Sequence, residues 1–190
     1  QVLDGAGLER RFIRIEAART FVDLDQNRLD ARFTTGGPIP TDGTEGAFGY
    51  GILTDDGDAI LVSTTHAGVL DSEEQSSIED SIWHNHFVRL GNVEQCGEDQ
   101  GVIDNTWQSP GEVRIDNNNA TISQIPINGF EGMVSITNES LLMTLGVDVS
   151  NVVSFRLNPV LGEDGLLEAV CVTDIMPAQW TQRGASGRGQ

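Results

Sequence analysis

The chain has 190 residues, enough for one β domain with a buried core, and carries 29 acidic against 11 basic residues for a net charge of −18. That excess repels nucleic-acid phosphates and anionic membrane surfaces, and no apolar run is long enough to cross a bilayer, so no nucleic-acid partner and no membrane span are expected. All eleven bases are arginine, and without lysine there can be no P-loop, no lysine Schiff base and no Ser-Lys dyad.

From the N-terminus the pattern reads as β nearly throughout. "FIRIEA" (12–17) alternates, with Ile13, Ile15 and Ala17 on one face and Phe12, Arg14 and Glu16 on the other. "RTFVDL" and "RLDARFTT" flank "DQN", which reads as a turn, and the Gly- and Pro-dense stretch 36–46 is a loop. Residues 50–66 form the strongest hairpin signal, with Asp56 and Gly57 as turn residues that tolerate positive φ. The acidic stretch 67–81 is a loop or one short helix, and "IWHNHFVRL" (82–90) is a strand followed by a loop to 101. Residues 111–126 predict a hairpin turning on its asparagine run, 129–137 a strand, 138–146 one or two helical turns from Asn138 to Gly146, and 152–175 a last hairpin turning at Asp164 and Gly165. The fold expected is all-β, an antiparallel sandwich or barrel-like sheet with at most one or two short helices. It comprises a single domain over 1–183 and a glycine-rich tail over 184–190. Such a tail stays in place only if something packs against it, and a subunit contact is one candidate.

Two cysteines, Cys96 and Cys171, allow one intramolecular disulfide, which suits an oxidising compartment. Sequons at Asn119 and Asn138 mark two candidate glycosylation sites. The chain starts at Gln1 without a methionine, as expected of a mature form trimmed of a leader. These features place the protein outside the cell or on its surface.

The three histidines, His66, His84 and His86, lie within twenty-one positions. On a strand, residues two apart share a face, which groups His84 and His86 with Ile82, Val88 and Leu90. The same parity groups Ile60, Val62, Thr64 and His66. If the two strands are neighbours, three imidazoles converge beside apolar residues, a ligand set for zinc, copper or iron. A fourth ligand would come from the acidic segment (Asp71, Glu73 or Glu74), or from Cys96 if it is reduced. The bland alternative is three strand histidines spent on hydrogen bonds and packing.

Calcium is a second candidate cofactor. Asp23, Asp25 and Asn27 alternate like the start of an EF-hand loop, but Arg28 stands where its glycine belongs and Thr34 where its glutamate belongs, so an EF-hand is excluded. Residues 55–58 and 162–165 are acidic hairpin tips that offer looser sites. Trp83, Trp107 and Trp180 would make a sugar platform if exposed together. There is no Gly-x-Ser-x-Gly elbow and no His-Glu-x-x-His. The sequence therefore favours a structural or assembly role, as a polymer or surface-layer type of subunit that self-associates through sheet edges or termini. A metal-dependent enzyme or redox protein with a three-histidine centre is the alternative.

Overall fold

The computed structural model describes residues 10–134, 137 and 139–187. A three-residue 3-10 turn, Arg11–Ile13, leads into β1 (Ile15–Asp23), which returns antiparallel as β2 (Arg28–Thr35). Then come β3 (Phe48–Thr54), β4 (Ile60–Thr65), β5 (His84–Asn92), a 3-10 turn at Glu94–Cys96 and β6 (Gln100–Asn105). β7 (Glu112–Asp116) and β8 (Asn119–Pro126) form the asparagine-turn hairpin, with Asn117 at φ 55°. β9 (Phe130–Met133) pairs with β10 (Ser140–Met143), and β11 (Val149–Leu161), β12 (Leu167–Pro177) and β13 (Thr181–Ser186) complete the chain.

These strands make a closed barrel in the order β11-β12-β6-β5-β4-β3 and a five-stranded sheet in the order β13-β1-β2-β8-β7. The sheet lies against one outer flank of the barrel, where Phe33 meets Tyr50 at 4.5 Å between ring centroids and the Tyr50 hydroxyl donates to the Phe12 carbonyl (2.8 Å). β3 therefore has two buried faces. Phe48, Tyr50 and Ile52 enter the core shared with the sheet, while Gly49 and Gly51 face the barrel interior. β4 and β5 divide the same way: Leu61 and Phe87 join the shared core, Val62 and Val88 a second, smaller cluster inside the barrel with Val153, Phe155 and Val172.

All-β architecture, the hairpins at 50–66, 111–126 and 152–175, and the Cys96–Cys171 disulfide follow the sequence. Several local expectations do not. Residues 12–17 are not one alternating strand: Phe12 and Ile13 are both buried in the 3-10 turn, and a bulge between Ile15 and Ala17 shifts the inward parity to Ala18, Thr20 and Val22. Gly57 is not at positive φ; it is there because any Cβ would collide with the Leu145 carbonyl. The stretch 67–81 has turns and no helix, and in 138–146 the expected helical turn is β10, whose Met143 is fully buried. Long-range pairing with β9 outweighs the helical preference of Leu141, Leu142 and Met143, because so short a helix does not hold by itself.

β13 was not expected at all. It runs parallel to β1, with Phe21 opposite Gly184 and Asp23 opposite Ser186. The glycine-rich segment read as starting at 184 thus begins inside a strand, and what packs against it is this chain's own β1. Asn119 is an exposed residue of β8 that accepts a hydrogen bond from the Thr34 hydroxyl (2.9 Å). Asn138 lies outside the described residues.

Candidate metal centre

The antiparallel ladder between β4 and β5 sets Ile60 opposite Val88, Val62 opposite His86 and Thr64 opposite His84. The two strands on which the histidine argument depends are therefore neighbours. His66 follows directly on the last residue of β4, and His84 and His86 are the first and third residues of β5. All three imidazoles are buried, with side-chain exposures of 8%, 0% and 3%. The loop 67–83 returns over this end of the barrel and brings in Asp71.

Asp71 Oδ1 lies 3.3 Å from His66 Nε2 and 3.5 Å from His84 Nε2, and Oδ2 lies 3.5 Å from His86 Nε2. One ligand atom from each of the four residues falls within 4.8 Å of all the others. These four side chains form the cluster able to hold a metal ion among the described residues. Two donors about 2.1 Å from a tetrahedral ion sit about 3.4 Å apart. The three aspartate–histidine distances are compatible with ligands sharing an ion, and are at the long end for direct hydrogen bonds.

The tautomers follow from the neighbours. His84 Nδ1 lies 2.8 Å from the Ile82 carbonyl and His86 Nδ1 2.6 Å from the Thr106 carbonyl. A carbonyl only accepts, so both Nδ1 atoms carry a proton and, in the neutral ring, both Nε2 atoms present a bare lone pair. Those two Nε2 atoms and Asp71 Oδ1 are buried without a hydrogen-bond partner. Lone pairs that face a carboxylate repel it, and a cation between them satisfies both. Protonating the rings is the alternative, but burial pulls the His84 pKa below its ordinary value despite the opposing pull of Asp71. At Asp71 burial pushes the pKa up, and hydrogen bonds with His66, His84 and His86 together pull it below the usual range, so the carboxyl is ionised wherever an imidazole N–H or a cation faces it.

Gln75 places Asp71. Its side chain is buried, with Oε1 accepting from the backbone N–H of Asp71 (3.0 Å) and Ser72 (3.2 Å) and Nε2 donating to the carbonyls of Val69 (3.0 Å) and Asp80 (3.1 Å). Sequence reading missed Gln75; its only signal is an amide among acids in a segment that must fold back on itself. Of the other fourth-ligand candidates, Glu73 Oε1 accepts from the Ser109 N–H (3.0 Å) and Cys96 is spent in the disulfide.

Elsewhere the acidic turns are occupied with the backbone. Asp23 Oδ1 accepts from the N–H groups of Asp25 and Gln26. Asp56 accepts from Val147 and Asp148, Asp58 from Thr144, and Asp164 from Leu166. Trp83 is stacked on Tyr50 and donates to the Pro40 carbonyl (3.0 Å), so it is not part of an exposed platform.

Next to the cluster the barrel encloses a cavity of about 230 Å³. His66, Asp71 and His86 face it, with Asn105 beside them, and the rest of the wall is almost wholly aliphatic and aromatic. Fold and site together define a β-barrel protein with a three-histidine, one-aspartate cluster at one end of its interior. Comparison with protein-family models, with curated proteins and with solved structures gave no match.

Proposed function

We propose that this protein is a metal-dependent enzyme in which His66, Asp71, His84 and His86 bind one divalent transition metal and present it to the barrel cavity. The observation that carries this reading is the convergence of two buried, unpartnered Nε2 lone pairs on an ionised carboxylate. Zinc is the first candidate, because neutral imidazoles with one carboxylate suit it and the spacing matches its tetrahedron; it can also take a fifth ligand during a reaction. Copper and iron(II) are the alternatives with the same donor preference. A purely structural ion is less well supported. β4 and β5 are already joined by their own ladder, and three of the four ligands line a cavity that a structural ion would not need. Bound there, the metal would act as a Lewis acid on a carbonyl or a water molecule entering from the barrel.

The assembly role suggested by the sequence has less to stand on. Both edges of β1 are taken within the chain, by β13 and β2, and β13 also accounts for the tail. A secreted or cell-surface address remains part of the proposal and is supported by the disulfide.

Metal content tests the reading. Inductively coupled plasma mass spectrometry on protein purified without an affinity tag should find about one equivalent of zinc, copper or iron, lost in the His84→Ala/His86→Ala double variant. A folded, oxidised protein that takes up no transition metal even on reconstitution would overturn it.

A further inference from the structure

The cavity beside the cluster indicates what the centre would act on. Most of its polar side chains, Thr64, His66, Asp71, His86 and Asn105, belong to or adjoin the cluster. Val62, Val88, Val153, Phe155 and Leu157 form the apolar part of its wall. Gly51 adds room: its φ is not in the left-handed region and a Cβ would point in beside Val153 and Phe155, so a side chain there would fit the backbone but take up cavity space.

The way in is also apolar. β12 and β6 pair only through Cys171–Gly101 and Val172–Gln100. Beyond those two pairs the strands part, and four consecutive β12 residues, Leu167 to Val170, line the cavity across from Val102 and Asn105. A strand presents four consecutive residues to one space only along its edge. At this opening Leu70 and Leu167 are 48% and 37% exposed. Glu168 adds negative charge to a chain already at −18.

We infer that the cavity takes a small, uncharged, largely hydrocarbon molecule with a single oxygen donor at one end, seated with that donor on the metal and its hydrocarbon part along the barrel interior. This rests on the metal-centre reading above. The chain's net charge and Glu168 at the opening oppose the approach of an anion, and apart from Thr64, Asn105 and Glu168 the wall offers a second polar group no partner. Size bounds it as well: an apolar cavity of about 150 Å³ holds benzene, so this one holds roughly nine non-hydrogen atoms.

The test uses two uncharged ligands with a single oxygen donor that differ only in tail: octan-1-ol, which has nine non-hydrogen atoms, and ethanol. Isothermal titration calorimetry is run on the metal-loaded full chain, on the metal-stripped chain, and on Gly51→Leu and Val88→Phe, which put larger side chains on the cavity wall from β3 and β5 at positions that are not ligands. Metal content is measured on every sample. The octyl probe should bind the loaded protein at least a hundredfold more tightly than the ethyl probe. That preference should fall at least tenfold in whichever filling variant folds and keeps its metal, and stripping should weaken the octyl probe at least tenfold. A metal-loaded protein that binds both probes equally overturns this inference and leaves the metal centre standing. A chain without metal overturns the reading on which it rests.

Discussion

At the scale of single residues, Gln75 shows how a carboxylate on a loop is held in place. Asp71 is part of no strand, so its position depends on the four hydrogen bonds of one buried amide. A group that orients a ligand typically changes metal affinity by roughly 10- to 100-fold when removed. Gln75→Ala should therefore weaken metal binding by about that factor in a chelator-competition titration. Asn85→Ala is the control. Asn85 is equally buried but lies on the other face of β5, where its amide donates to the Pro110 carbonyl (2.9 Å). Both variants should lose stability, and only the first should lose metal affinity; an equal loss in both would mean that Gln75 does no more than hold the loop.

Asp56 is the residue-scale counterpart on the far side of the β3–β4 turn. Its carboxylate accepts from the N–H groups of Val147 and Asp148, and those bonds hold its pKa below the usual 3.8. A group whose folded pKa lies below its unfolded one contributes stability that is complete above the unfolded value and lost as the pH falls through the folded one. The stabilities of the native chain and Asp56→Asn should therefore differ at pH 5, and the gap should close as the pH falls below the unfolded value of 3.8. A gap that stays constant with pH would show that the charge of Asp56 is not what matters.

At the scale of elements, the seam between β6 and β12 is the weak closure of the barrel. Two residue pairs join the strands there, against seven between β3 and β11. The disulfide sits on that seam: Cys171 is itself paired with Gly101, and Cys96 lies in the 3-10 turn just before β6, 5.4 Å away between Cα atoms. Closing a loop of 75 residues restricts the unfolded chain by about 4 kcal/mol. The Cys96→Ala/Cys171→Ala variant should lose stability of that order in urea unfolding. Its hydrogen exchange should accelerate first at 100–101 and 171–172. Uniform acceleration across the barrel would mean that the bond constrains only the unfolded chain.

At the scale of the whole molecule, two cores of unequal density share the barrel wall. The larger core, between the wall and the five-stranded sheet, is packed with full-sized side chains such as Phe33, Tyr50, Phe87 and Ile122. The smaller one, inside the barrel, leaves its centre open. The sheet supplies the burial that stabilises the fold, which lets the barrel interior keep a space that tight packing would otherwise fill.

The histidine face was legible from residues alone because the period of a strand is two. On an unbroken strand His84 and His86 share a side, and the same parity carried one residue past β4 sets His66 with Ile60 and Val62. Asn117 and Gly165 likewise marked turns by their tolerance of positive φ, and two cysteines allow only one pair. Tertiary structure decided the rest, since each remaining feature joins groups far apart in the chain. The β4–β5 ladder spans a long loop, Asp71 rather than Glu73 faces the imidazoles because Gln75 turns that loop, and β13 finds β1 across most of the sequence. Local periodicity states which residues share a face; only long-range pairing and closure of the barrel state what that face meets.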